Sequence, residues 1–280
     1  MTTQKTYLDV LNETPKEKRM LRNSIAELLL SDLNKFNFYK KYSTFYRIHG
    51  EGILQIISIV HNNRDPLKIR IGIKPLYNYL AEKTSWDIQL ASTKSGNGWE
   101  GFSIEEILHL PIQTMPDIDI EIEMLKKNIL PLFDKIIDAQ SVLCFYDKVL
   151  TSQLNKENRR AATAEIMPML RVGKGAQLLP DLMKVIADLT ETFENNNIKL
   201  PNKYNTAYKF PNEYPGASQI FDIYLRYNQI LEVVKSNNQL IVNEFLYYSA
   251  REGYARLERY SKTLTRKFPF QNYMGSFLGE

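Results

Sequence analysis

The chain has little with which to do metal, thiol or redox chemistry. Its 280 residues contain one cysteine, Cys144, and three histidines, His49, His61 and His109. A single cysteine excludes an internal disulfide framework and any multi-cysteine zinc site. Glycine and proline number only 12 each, which excludes collagen-like and linker-like chains. No apolar run approaches the ~18 residues that span a bilayer, and the most apolar window, 53-ILQIISIV-60, holds Gln55 and Ser58. Residues 1–20 lack the apolar stretch of a signal peptide. A cytoplasmic protein without membrane contact is therefore expected.

Signatures of catalysis are also missing. There is no G-x-S-x-G, no H-E-x-x-H, and no G-x-G-x-x-G after a strand. The segment 171-RVGKGAQLL-179 lacks the Walker spacing, and no Ser or Thr follows Lys174. It reads as a helix C-terminus closed by Gly173, with Gly175 opening the next helix. Cys144 sits in apolar 142-VLCFY-146, the setting of an inert core thiol. These absences leave no catalytic residue, cofactor or metal to assign, and the reading leans away from an enzyme.

What is present is a core and an uneven charge. Apolar residues make up 44% and charged residues 24%, with 17 tyrosines and 13 phenylalanines, as suits a folded protein. Of the 36 basic and 32 acidic side chains, residues 1–150 hold 19 of each, which leaves 17 and 13 for residues 151–280. The whole excess of +4 lies in the second half. In 251–267, Arg251, Arg256, Arg259, Lys262, Arg266 and Lys267 face only Glu252 and Glu258. Nucleic-acid binders show a stronger basic bias, so that partner is disfavoured.

Hydrophobic period places the elements. Met20, Leu21, Ile25, Leu28, Leu29 and Leu33 predict an amphipathic helix over 17–34. Strands follow at 36–48, 53–60, 67–74 and 86–92. In the third, Leu67, Ile69, Ile71 and Ile73 alternate with Lys68, Arg70, Gly72 and Lys74, which predicts one buried and one solvated face. The short links favour an antiparallel meander. Ser103 with Glu106 forms a capping box for a short helix from 104 to Pro111. Asp117, Asp119, Glu121 and Glu123 would share a face on a strand, but fit better as the first turn of a helix entered near Pro116 and interrupted or kinked at Pro131. Helices are then expected at 132–150, 156–170, 176–194, 217–235 and 238–266. The stretch 195–216, rich in Asn, Pro and Tyr, is a long irregular excursion. The fold class is α+β. A four-stranded antiparallel meander with flanking helices occupies 1–150, and an all-helical half occupies 151–280.

Two surfaces stand out as binding candidates. Lys68, Arg70 and Lys74 point one way from the third strand, and Arg47 joins them if the register permits, making a shallow seat for an anion or an acidic partner. The bland alternative is cross-strand pairing, with Asp87 beside Arg70. The last helix interleaves Tyr247, Tyr248, Tyr254 and Tyr260 with Arg251, Arg256 and Arg259, residue types that dominate interaction hot spots. Its i,i+4 pairs Glu252–Arg256 and Glu258–Lys262 equally suit a solvated helix face. His49 and His61 read as exposed turn residues.

Phe38, Lys41, Phe45, Arg47, Gln55 and 71-IGIKP-75, with 128-NILPLFDKI-136 further on, resemble the bacterial family catalogued as Domain of Unknown Function 4304. The resemblance covers about the first half, and the long helical second half departs from it. It implies a fold, no established activity, and a role of the accessory or immunity type. The expected function is a non-catalytic, cytoplasmic, immunity-like or adaptor protein. Another protein would be its partner, a small anionic ligand remaining possible. Its contact candidates are Arg47, Lys68, Arg70, Lys74, Tyr254, Arg256 and Arg259. The competing expectation is an enzyme on an anionic or phosphorylated small molecule, held between the sheet and the 195–216 loop.

Overall fold

The computed structural model describes residues 15–60, 68–78, 101–103, 122–123, 125–145, 162–196, 198 and 217–277. The first helix, α1 (Pro15–Lys35), buries Ile25, Ala26, Leu29 and Leu33 and leaves Met20 and Leu28 exposed. Its end is set by Asn37 at φ 63°. The Phe38 amide donates back to the Leu33 carbonyl and the Asn37 amide to that of Asn34, a left-handed cap that asparagine tolerates.

Five strands follow in sequence order, each antiparallel to the next: β1 (Tyr39–Lys41), β2 (Thr44–His49), β3 (Ile53–Val60), β4 (Lys68–Pro75) and β5 (Gly101–Ser103). The α+β class and the antiparallel meander are as expected. Two details differ. The single strand expected over 36–48 is a hairpin, because Tyr42 takes φ 56° and turns the chain between Lys41 and Thr44. Next to β4 stands Gly101–Ser103. The strand expected at 86–92, the helix from 104, and His61 and His109 lie outside the described residues.

Both faces of the sheet are covered. On one, Phe45, Ile53, Ile57, Ile59, Ile69 and Ile73 pack with α1 and with Leu125, Ile129, Leu130 and Phe133. On the other, Tyr46, Ile48, Leu54 and Ile56 pack with Leu246, Ala250, Leu257 and Leu264 of the helical half. The half-solvated face expected for the third strand is thus corrected toward its end, where Gly72 and Pro75 are buried and Lys74 half-buried. The residues expected to form two regions share one apolar cluster, although their expected boundary near 150 lies outside the described residues.

The helical run does not end at Pro131, as an interruption there would require, but changes just before it from π to α. A π-helical turn at Leu125–Ile129 precedes α2 (Leu130–Lys135), so the proline sits in a first turn, where its missing N–H matters least. The helix expected over 132–150 breaks at 136–138. Asp138 caps a new helix over 139–145, its carboxylate accepting from the Ser141 amide at 2.7 Å.

The helical half contains α3 (Ala162–Arg171), α4 (Leu179–Asn195) after a 3-10 turn (Gly175–Leu178), α5 (Ala217–Lys235), α6 (Gln239–Tyr260), α7 (Lys262–Lys267) and α8 (Gln271–Met274). Gly173 closes α3 at φ 74°, with Lys174 donating to the Met169 carbonyl, as its sequence implies. The helix expected over 238–266 is instead two. Ser261 is extended, at φ −158°, and accepts from the Leu264 amide, so it ends α6 and caps α7. Helix α6 crosses the end of β4 at Gly253, where a Cβ would collide with the Leu76 carbonyl oxygen.

Candidate functional site: an arginine and tyrosine corner

The pairing register decides where the basic residues stand. Arg47 aligns with Gln55 and Ile73, whereas Ile48 aligns with Leu54 and Lys74, and Thr44 with Ser58 and Arg70. Neighbouring positions on a strand belong to opposite faces. Arg47 is therefore on the face opposite to positions 68, 70 and 74, and the shared basic face is corrected. Arg47 is also 5% exposed. Its Nε donates to Gln55 Oε1 at 2.7 Å and its Nη1 to the Phe36 carbonyl at 3.2 Å. Nη2 lies 2.7 Å from Asp134 Oδ1, an ion contact outside hydrogen-bond angles. Gln55 Nε2 donates onward to the Phe133 carbonyl at 2.6 Å, and the guanidinium lies 4.9 Å from the Phe38 ring centre. This arginine ties β2 to the loop before β1 and to α2, and is part of the core rather than a contact surface. The backbones of Lys68 and Arg70 pair with Val60 and Ser58.

Tyr254 is half-buried, and its hydroxyl is turned back onto the chain. Its hydroxyl lies 2.8 Å from both the Thr265 and the Phe268 carbonyls, and its ring leans on Phe270 at 5.2 Å. Burial raises its pKa. It bolts the segment after Ser261 to α6. Lys262 lies past the helix break, so the expected i,i+4 geometry with Glu258 does not run through. Cys144 corrects its expectation, because it is exposed, 3.6 Å from Gln140 Nε2. His49 ends β2 as expected, but is only half-exposed. Of the four carboxylates, Glu123 alone is described. It is exposed and ion-paired with Lys126 at 3.0 Å. The region 199–216 lies outside the described residues, and with it the pocket expected there.

The surface that the fold does assemble is a corner between the β1–β2 hairpin and the C-terminal end of α6. Lys41 Nζ donates to the Tyr260 carbonyl and sits 3.7 Å from the Tyr260 ring centre. A cation there suits the negative end of a helix dipole. The Tyr46 and Tyr260 hydroxyls are 2.7 Å apart, and their rings meet edge to face at 5.8 Å. Burial raises the pKa of both, so both are neutral hydrogen-bonding phenols at neutral pH. Tyr39 and Tyr42 lie close enough to add to that rise at Tyr260. Tyr42 is 79% exposed at the hairpin tip.

Arg256 lies one turn before Tyr260 on α6, and Arg259 directly precedes Tyr260. Arg256 is half-buried and Arg259 exposed. Burial, and then the charge of Arg259, lower the Arg256 pKa to about 10. The corner offers cationic and hydroxyl groups and flat rings, which suit recognition. Among the described residues there is no group of three or more His, Cys, Asp and Glu arranged to hold a metal, and no helix long and apolar enough to cross a membrane. Lys41, Tyr42 and Tyr260 were not paired from the sequence, although 39-YKKY-42 repeats the basic and aromatic texture of 251–267. Nothing local shows that segments some 220 residues apart will meet.

Comparison with known proteins returns no match to a family model, to a curated protein or to a solved structure.

Proposed function

We propose that this chain is a non-catalytic binding protein of the immunity-like or adaptor kind, working on another protein in the bacterial cytoplasm through the Tyr42–Tyr260–Arg259 corner. The observation that carries the reading is Tyr42. It occupies a left-handed backbone position where a non-glycine residue costs about 1–2 kcal/mol, yet its side chain is 79% exposed. Strain of this kind, at the tip of a tight turn, is an indicator of function. Tyrosine is enriched in interaction hot spots, and the Lys41 ammonium lies 5.8 Å from the Tyr42 ring centre. The resemblance of residues 36–77 to a family of accessory proteins runs through the same hairpin.

The test is affinity capture from the native host with the full chain, followed by binding measurements on the purified captured protein. Tyr42→Ala is expected to weaken the complex about tenfold, as one hot-spot residue does. Tyr42→Gly is expected to weaken it equally while raising folding stability by about 1 kcal/mol or less, since glycine removes the strain but adds unfolded-state entropy. Undiminished binding by both variants overturns the role of the corner.

A further inference from the structure

We infer that the Lys41 ammonium receives a carboxylate of the protein partner, beside Tyr42. The inference rests on the binding reading above and supplies the chemistry of what the partner brings. The two adjacent lysines of the hairpin differ. Lys40 is ion-paired with Glu27 of α1. Lys41 is half-buried, and among the described residues no carboxylate pairs with it. Its ammonium donates to the Tyr260 carbonyl and rests 3.7 Å from the Tyr260 ring centre. An ammonium has more donors than this one bond uses. The end of α6 offers roughly half an elementary charge, which offsets only part of the cation.

The position of Tyr42 turns this into a requirement on the partner. Its ring centre lies 5.8 Å from Lys41 Nζ, so a protein that covers the ring also strips water from the ammonium. A charge taken out of water is costly unless it is paired. The nearby phenols cannot pair it. The Tyr46 and Tyr260 hydroxyls are bonded to each other at 2.7 Å, and burial keeps both neutral. A cation from the partner is disfavoured, because Lys41 already holds the Tyr260 ring. The surface therefore calls for an acid. An acidic polypeptide is favoured over nucleic acid because the chain as a whole carries only +4, too little for tracking a phosphate backbone.

The test uses the full chain and the protein captured with it. A water-soluble carbodiimide joins an ammonium and a carboxylate in contact as an amide, with loss of water, and the Lys40–Glu27 pair serves as its internal standard. Mass spectrometry of the treated complex is expected to show Lys41 joined to an Asp or Glu of the partner. Lys41→Met is expected to weaken the complex about tenfold. It should also flatten the loss of affinity between about 25 mM and about 200 mM salt, which a purely structural lysine would not do. Lys41→Arg keeps the charge and should bind within about twofold of the unaltered chain, with the cross-link gone because a guanidinium does not form that amide. Should Lys41→Met fold poorly, Lys41→Arg and the cross-link carry the test. An excess of octaglutamate peptide should displace the partner, and octalysine should not. Absence of the Lys41 cross-link, displacement by octalysine alone, or stronger displacement by a single-stranded oligothymidylate overturns the inference. A partner that responds to Tyr42→Ala but not to Lys41→Met also overturns it, while leaving the binding reading standing. Capture of no protein, or of one indifferent to both variants, sinks the two together.

Discussion

Arg47 and the Arg256–Arg259 pair place the same chemical group in two settings. Under the α1 face of the sheet, each nitrogen of Arg47 meets an oxygen, from Gln55, the Phe36 carbonyl or Asp134. On α6, burial and then the charge of Arg259 lower the pKa of the half-buried Arg256. The first arrangement is complete without any other molecule. Both residues were equally plausible contacts in the sequence, so residue type did not separate them. Burial did: Arg47 is 5% exposed, Arg256 half-buried and Arg259 exposed.

The largest effect should come from challenging that contrast directly. Arg47→Met is expected to cost about 3 kcal/mol, since Gln55 Oε1 and the Phe36 carbonyl lose their donor in a buried site. Arg259→Gln, a change at an exposed side chain, should cost less than about 0.5 kcal/mol. Urea unfolding of both variants checks this, and equal losses would erase the distinction. Next comes the seam between sheet and helices. Gly253→Ala gains about 1 kcal/mol in helix propensity, but places a methyl against the Leu76 carbonyl oxygen, an overpacking that costs about 1–3 kcal/mol. Net destabilisation is the expected outcome, and a net gain would mean that α6 can lift away from β4 without penalty.

Tyr254→Phe removes the hydroxyl that reaches the Thr265 and Phe268 carbonyls, and should cost about 1 kcal/mol by thermal or urea unfolding. It should leave partner binding unchanged, because this tyrosine bolts the chain to itself. The smallest effect is a pH dependence at His49. Burial first, and then the charge of Arg47, hold its pKa below the ordinary 6.5, with Asp134 opposing. The unfolded chain therefore takes up the proton at higher pH than the folded one. The contribution of His49 to stability is present above about 6.5 and is lost as the pH falls through the folded value. Comparing unfolding midpoints at about pH 7.5 and about pH 5 should show a decline that His49→Gln flattens. The same decline in the variant would assign it to other groups.

Local signals carried well where the residue itself imposes the backbone. Gly173 closes α3 because glycine takes a positive φ freely, and Pro131 suits the first turn of α2 because no amide proton is needed there. The alternating isoleucines of 67–74 made a strand because alternation and the pleat share a period of two. Signals failed where two elements had to be compared. Whether Arg47 shares a face with Lys74 depends on the parity of two turns, and a one-residue change in either would exchange the faces. Ser261 was hidden because its residue type suits a helix interior weakly and an N-cap strongly, and only the packed chain chose the cap. The apolar neighbours of Cys144 suggested burial, but its helix turns that position outward.

By itself, then, the sequence determined the α+β class, the antiparallel sheet followed by a helical half, the lack of catalytic motifs and the location of the positive excess in the second half. These follow from composition and from periods of two and 3.6, which are properties of neighbouring residues. The tertiary structure decided which arginine is core and which is surface, and that 39-YKKY-42 meets the end of α6. Those outcomes depend on register and on contacts between distant segments, and no local period encodes them.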